Sequence, residues 1–244
     1  MPKPNGETAP LVIFDLDGTL IETGPDLVDS LNHAISMIGL APFGDYDLAH
    51  LVGQGSRVMI DRALELRGTP ADEAAIEELL TAFLAFYKAN IPGRSAPYPG
   101  LVAALERLDH AGMRLAVCTN KQETLARELL DALGLSHRFA AVTGGDTFPM
   151  RKPDAGHILG TIERAGGEKA SAVMVGDSIN DIAAARNAGI PSLAVSFGYS
   201  DVPAAKLGAA RVIDHYDALT PSLMGELLNG RQAKADGGRN GAAH

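Results

Sequence analysis

The chain has 244 residues, of which 46% are hydrophobic, and a formal net charge of −9. That charge argues against nucleic acid or an anionic membrane surface as a partner, so a phosphate-bearing ligand has to be attracted locally, by a metal or a few placed cations. No apolar run reaches transmembrane length, the first ten residues lack a signal-peptide stretch, and the single cysteine, Cys118, rules out an intrachain disulfide. A reducing, cytoplasmic setting is expected.

Residues 1–10 read as a loose leader. The run LVIFDLDGT from Leu11 then gives four apolar residues that stop at acids, the pattern of a strand buried on both faces. The stretch 22–97 follows with helical periodicity and no convincing strand. Its first helix places Leu27, Leu31, Ala34, Ile35 and Ile38 on one face, with Pro25 near the start and Gly39 at the stop. Further helices are predicted over 56–67 and 72–87, and PGRSAPYPG from Pro92 reads as a return linker. From Gly100 onward helices alternate with short apolar runs: LAVCTN, AAVTGGD, AVMVGDSIND and SLAVSFG, with an edge run at 210–213. This alternation predicts βαβ units around a parallel sheet. The organisation expected is a catalytic core over 11–21 and 98–228, a helical cap over 22–97, and flexible termini at 1–10 and 229–244.

In an open parallel sheet the carboxyl ends of the strands line the ligand crevice. Asp15, Asp17, Thr119, Asn120, Asp177 and Asp181 all follow apolar runs, so folding is expected to gather them on one rim. An Asp-x-Asp pair alone is compatible with two solvated loop acids. Here the buried run before it and Gly18-Thr19 after it favour a different reading. A carboxylate suits attack on phosphorus, a second acid two residues on can protonate the leaving oxygen, and backbone N–H groups at Gly18 can face an anion. Thr119 and Asn120 offer uncharged donors to phosphoryl oxygens. Lys152 can neutralise nucleophile and phosphoryl group together, and Pro153 suits the first turn of the next helix; Arg151 is assigned to solvent. Hard oxygen ligands favour Mg²⁺, held by Asp15, Asp177 and the backbone carbonyl of Asp17, with Asp181 nearby through water or a hydrogen bond. In the cap, Gly53 and Gly55 are expected to form a loop facing the rim, and Arg57 and Arg62 are candidates for pairing a small substrate carboxylate. Cys118 is expected to be a packed core thiol, and the scattered histidines lack metal-ligand spacing.

Four motifs in order (Asp15–Thr19, Thr119–Asn120, Lys152–Pro153 and Gly176–Asp181) are similar to those of the haloacid dehalogenase-like phosphatases. The resemblance covers about 11–227. It implies a Rossmann-like α/β core with a parallel sheet and helices on both faces, plus an inserted α-helical cap domain. It also implies Mg²⁺-dependent phosphomonoester hydrolysis through an aspartyl phosphate, with Asp15 as nucleophile, Asp17 as acid and base, Thr119 and Lys152 on the phosphoryl group, and Asp177 completing the metal site. The cap stretch from Val52, the Lys-Pro-Asp at 152–154 and the segments after Phe197 most resemble the phosphoglycolate-hydrolysing branch, although Ala155 stands where that branch often has a second Pro. The expected partner is a small-molecule phosphoester, with neither nucleic acid nor membrane, and the chain is expected to be a monomer or homodimer. The readings left open are a sugar phosphate or pyrophosphate as substrate, a phosphomutase, and a non-catalytic phosphate-binding protein.

Overall fold

A computed structural model describes residues 9–44 and 55–239. Six strands form one parallel sheet: β1 (Leu11–Phe14), β4 (Arg114–Cys118), β5 (Ala141–Thr143), β6 (Ala172–Gly176), β7 (Ser192–Val195) and β8 (Arg211–Ile213). Their order is β5-β4-β1-β6-β7-β8, with β1 in the middle. The chain fills one side of β1 first and then crosses back to β6 on the other side. The ends of β4, β1 and β6 therefore meet at the point where the strand order reverses, which is where an open α/β sheet opens its crevice.

The continuous apolar strands are explained by what covers each face. Val12, Phe14, Val117 and Val175 pack with α4 (Leu101–His110), α5 (Glu123–Ala132) and α8 (Pro221–Arg239). The alternate residues Leu11, Ile13, Ala116, Cys118 and Met174 pack with α6 (Ala155–Arg164) and α7 (Ile179–Ala188). Successive strand side chains point to opposite faces, so a sheet covered twice must be apolar at every position.

Between β1 and α4 the chain leaves the sheet. Helices α1 (Gly24–Ser36), α2 (Ser56–Leu66) and α3 (Glu73–Asn90) build a second core from Leu31, Ile35, Met59, Ile60, Leu79 and Phe83. Leu125 and Tyr199 from the sheet domain join that cluster. The Asp72 carboxylate caps α3 by accepting from the Ala75 N–H at 2.9 Å. Two short strands missed by the sequence reading, β2 (Ile21–Glu22) and β3 (Ala96–Pro97), pair antiparallel and hold the two linkers of this insert together. At two residues each they are too short to show a period. Buried Asp26 pins the linkers further, accepting from the Arg94 and Ser95 N–H groups at 2.9 and 2.7 Å.

Two local expectations need correction. Ile38 lies beyond the end of α1 and is 45% exposed, so it is not part of the helix core face. Pro153 stands before the N-cap of α6, Asp154, rather than in its first turn. Helix α8 runs through Arg239; residues 231–234 are Arg, Gln, Ala and Lys, all good helix formers. Among the described residues no helix is long and apolar enough to cross a membrane.

Candidate active site

Asp15 follows β1, Asp177 follows β6, and Asp181 sits in the first turn of α7. One carboxylate oxygen from each lies within 4.8 Å of the others. The Lys152 ammonium is 2.8 Å from Asp15 Oδ1 and donates to Asp181 Oδ1 at 2.6 Å, with the lysine side chain only 1% exposed. Asp181 is fixed by a capping box at the start of α7, where its Oδ2 accepts from the Ser178 N–H and hydroxyl at 3.0 and 2.6 Å. Asp177 accepts from the Thr19 hydroxyl and the Tyr199 N–H, each at 2.9 Å.

Three carboxylates against one ammonium leave two negative charges uncompensated in a buried site. The electrostatics follow. Burial, then the charges of Asp181 and Asp15, raise the Asp177 carboxyl to about 8. Burial and Asp181 likewise raise Asp15, against the opposing pull of Lys152, to about 7. Burial opposes the Lys152 charge, but Asp15 and Asp181 outweigh it and hold the ammonium above its ordinary range. Below Lys152, His157 is buried; its Nδ1 accepts from the Lys152 N–H at 3.3 Å, and burial with the nearby ammonium lowers it to about 4. That imidazole is neutral at neutral pH and serves the Lys152 loop. Cys118 is a buried core thiol, as expected, raised by burial to about 11.

Asp17 occupies the next position along the rim. Its Oδ1 accepts from the Thr23 hydroxyl at 2.7 Å and from the Lys121 ammonium at 3.0 Å, and its Oδ2 lies 3.3 Å from the same ammonium. Thr119 is buried; its hydroxyl oxygen accepts from the Lys121 N–H at 3.2 Å, which leaves the hydroxyl proton free to be donated. Asn120 donates its amide to the Lys152 carbonyl at 2.9 Å, tying the ends of β4 and the Lys152 loop together.

The role expected for Gly18 is corrected. Its N–H donates to the Ile21 carbonyl at 2.9 Å and is not available to an anion. Glycine is required there for a different reason. Its φ is +78°, and a Cβ would stand 2.6 Å from Asp177 Oδ2 and 2.8 Å from the Tyr199 ring.

A cavity of about 400 Å³ lies between rim and insert. Asp15, Asp17, Thr119, Asn120 and Lys121 line it from the sheet side; Leu80, Phe83, Leu84 and Tyr87 line it from α3. Gly55 and Arg57 also line it, but Arg57 is held by Glu73 and Glu77 at 2.6 and 2.5 Å. Arg62 is not among the lining residues, and Gly53 lies outside the described residues. Arg151 is exposed, as expected, yet it borders the cavity too. Sequence reasoning missed Lys121, Thr23, Tyr87 and Tyr199. The signal for Lys121 was its position directly after Thr119-Asn120; the other three depend on tertiary contacts.

Comparison with known proteins agrees with this geometry. The family model described as haloacid dehalogenase-like hydrolase matches residues 12–195. A phosphoglycolate phosphatase of Agrobacterium fabrum is 58% identical over 227 residues, covering 93% of this chain and 97% of that protein. One of Mesorhizobium japonicum is 48% identical, covering 90% and 96%. The crystal structure of a predicted phosphoglycolate phosphatase from Haemophilus somnus superposes with a TM-score of 0.79 at 29% identity, covering 87% of this chain and 96% of that one. On these matches, the chain belongs to the haloacid dehalogenase-like hydrolase family.

Proposed function

We propose that this protein hydrolyses 2-phosphoglycolate to glycolate and phosphate, in two phosphoryl transfers through Asp15. The observation that carries the reading is the meeting of the Asp15, Asp177 and Asp181 carboxylates within 4.8 Å of one another, with the Lys152 ammonium bridging Asp15 and Asp181. The names of relatives that are 58% and 48% identical over nearly the whole chain point to the same substrate.

The residues fit a Mg²⁺ ion. The donor set is hard carboxylate oxygen, and two buried negative charges want a divalent partner. Asp15 and Asp177, with the backbone carbonyl of Asp17, are the proposed ligands; Asp181 acts behind them by holding Lys152. When bound, Mg²⁺ supplies charge neutralisation for the carboxylates and the phosphoryl oxygens together.

In the first transfer an Asp15 carboxylate oxygen bonds to phosphorus while the bond from phosphorus to the ester oxygen breaks. Asp17 gives its proton to the departing glycolate oxygen. In the second, Asp17 takes a proton from water as that water attacks the phosphorus of the aspartyl phosphate, releasing phosphate and restoring Asp15. Lys152 and the Thr119 hydroxyl hold phosphoryl oxygens, and Asn120 keeps the Lys152 loop in place. The insert, residues 22–97, serves as the cap: Leu80, Phe83 and Leu84 give the cavity an apolar wall that excludes water.

The test is a comparison of kcat/KM for 2-phosphoglycolate, sugar phosphates and pyrophosphate, each with and without Mg²⁺. Preference for 2-phosphoglycolate with a Mg²⁺ requirement is expected. A better rate on another ester reassigns the substrate, and full activity without divalent metal refutes the site.

A further inference from the structure

The substrate proposed above is short: one methylene separates the ester oxygen from the carboxylate. Whatever binds that carboxylate must stand beside the acid that protonates the ester oxygen, which on this reading is Asp17. Three cations border the cavity among the described residues: Arg57, Lys121 and Arg151. Arg57 belongs to the insert and is already bound by two carboxylates, Glu73 and Glu77. A third carboxylate arriving there meets net negative charge. Arg151 is exposed to solvent and forms no ion pair with Asp17 among the described residues. Lys121 alone touches Asp17, at 3.0 Å, with its side chain 7% exposed.

The Lys121 ammonium has three N–H donors; it reaches the Asp17 carboxyl at 3.0 and 3.3 Å and also interacts with the Tyr87 side chain, so a substrate carboxylate arriving there shares its donors with these two groups. Below it the charge is supported by the Tyr87 ring, whose centroid lies 4.2 Å from Lys121 Nζ. Tyr87 comes from α3 in the insert, lines the same cavity, and is 3% exposed. Its hydroxyl is buried with no well-formed hydrogen bond among the described residues, although the Lys121 ammonium acts on it. A buried hydroxyl left unpaired is costly, and a ligand acceptor removes the cost. Lys121 and Tyr87 thus bring an ammonium donor and a hydroxyl donor to one wall of the cavity, one from the sheet domain and one from the insert.

We infer that Lys121 and Tyr87 together receive the carboxylate of the substrate and are the residues that select it over esters without a second anionic group. The inference rests on the proposed reaction. It assigns selectivity to a contact across the boundary between sheet and insert, in place of Arg57 and Arg62.

The test uses the full chain with Mg²⁺ and two esters of equal length, 2-phosphoglycolate and 2-hydroxyethyl phosphate, which lacks the carboxylate. The wild type is expected to favour the former. Lys121→Met is expected to reduce the ratio of the two kcat/KM values by about 10–100-fold, the scale of a charged hydrogen bond. The loss should fall mainly in KM, because the contact is equally strong in ground and transition states. Tyr87→Phe keeps the ring under the ammonium and is expected to reduce the ratio by about 2–10-fold. Equal losses on both esters in Lys121→Met overturn the inference, since Lys121 then serves Asp17 only; so does a ratio that collapses in Arg57→Met instead. If Lys121→Met does not fold, an unchanged ratio in Tyr87→Phe overturns it. A wild type that hydrolyses neither ester refutes the proposed reaction itself, a separate outcome.

Discussion

The rim of the sheet and the facing wall of the insert border the same cavity with opposite means. On the rim, Lys152, Asp177 and Asp181 are nearly sealed from water, and each is held by named partners. On the insert, the charged groups Arg57, Glu73 and Glu77 sit in solvent and satisfy one another, while the wall itself is Leu80, Phe83 and Leu84. The difference teaches how the two parts divide the work. Charge acts strongly where the dielectric is low and the partners cannot move, so reacting groups belong to the rigid sheet. The insert contributes shape, dryness and, through Tyr87, one reaching donor.

This contrast can be broken at several points. The largest effect is expected from Asp15→Asn. It removes the proposed nucleophile, and turnover of any phosphomonoester should fall on the order of 10⁴-fold or more in a steady-state phosphate-release assay; retained activity would place the nucleophile elsewhere. Asp17→Asn should cost about 10²–10⁴-fold on an alkyl ester such as 2-phosphoglycolate. It should cost much less on p-nitrophenyl phosphate, whose leaving group needs no proton, and equal losses on both argue against an acid role.

Lys152→Met strips the buried acids of their ammonium. Uncompensated charge of this kind costs about 3–5 kcal/mol, which a denaturant melt would read. On the insert, Phe83→Ala opens a hole in a buried core, with an expected loss of about 3–5 kcal/mol in the same measurement. A Phe83→Ala protein as stable as the wild type would show that the insert contributes no core of its own.

Metal and pH sharpen the comparison further. The Asp15 and Asp177 carboxyls are raised in the folded protein from about 4 to about 7 and about 8. A folded carboxyl raised above its unfolded value stabilises most at low pH, and that contribution is lost as pH rises through the folded value. With EDTA present, Tm should therefore fall between about pH 6.5 and pH 8, above the range in which buried His157, lowered to about 4, acts in the opposite sense. Mg²⁺ should raise Tm more at pH 8 than at pH 5, because it binds the ionised form. A Mg²⁺ shift independent of pH would argue against these two ligands. The smallest effect belongs to Arg57→Ala, whose partners are exposed: little change in Tm is expected, since ion pairs in solvent are weak.

Much of the site was legible because its residues end apolar runs. Asp15 after VIF, Thr119 after AVC and Asp177 after VMVG are each placed by a local rule, and parallel pairing brings such ends together. What local rules do not carry is the direction of a hydrogen bond. Gly18 was expected to turn its N–H outward, but the loop closes onto Ile21, and the glycine is needed for the approach of Asp177. Arg57 was a candidate for pairing a substrate carboxylate, and glutamates sixteen and twenty residues later already pair with it.

The sequence by itself determined the main helices and sheet strands, the alternation that makes a doubly covered sheet, and which polar side chains end the apolar runs. These follow from periodicity and from chemistry that few residue types can perform. The tertiary structure alone decided which charges pair: that Lys152 bridges Asp15 and Asp181, that Lys121 faces Asp17 over Tyr87, and that the insert closes one side of the cavity. The reason is distance. Coulomb attraction and desolvation act over a few ångströms of space, and residues separated by up to about 160 positions come that close only once the β4-β1-β6 order has formed.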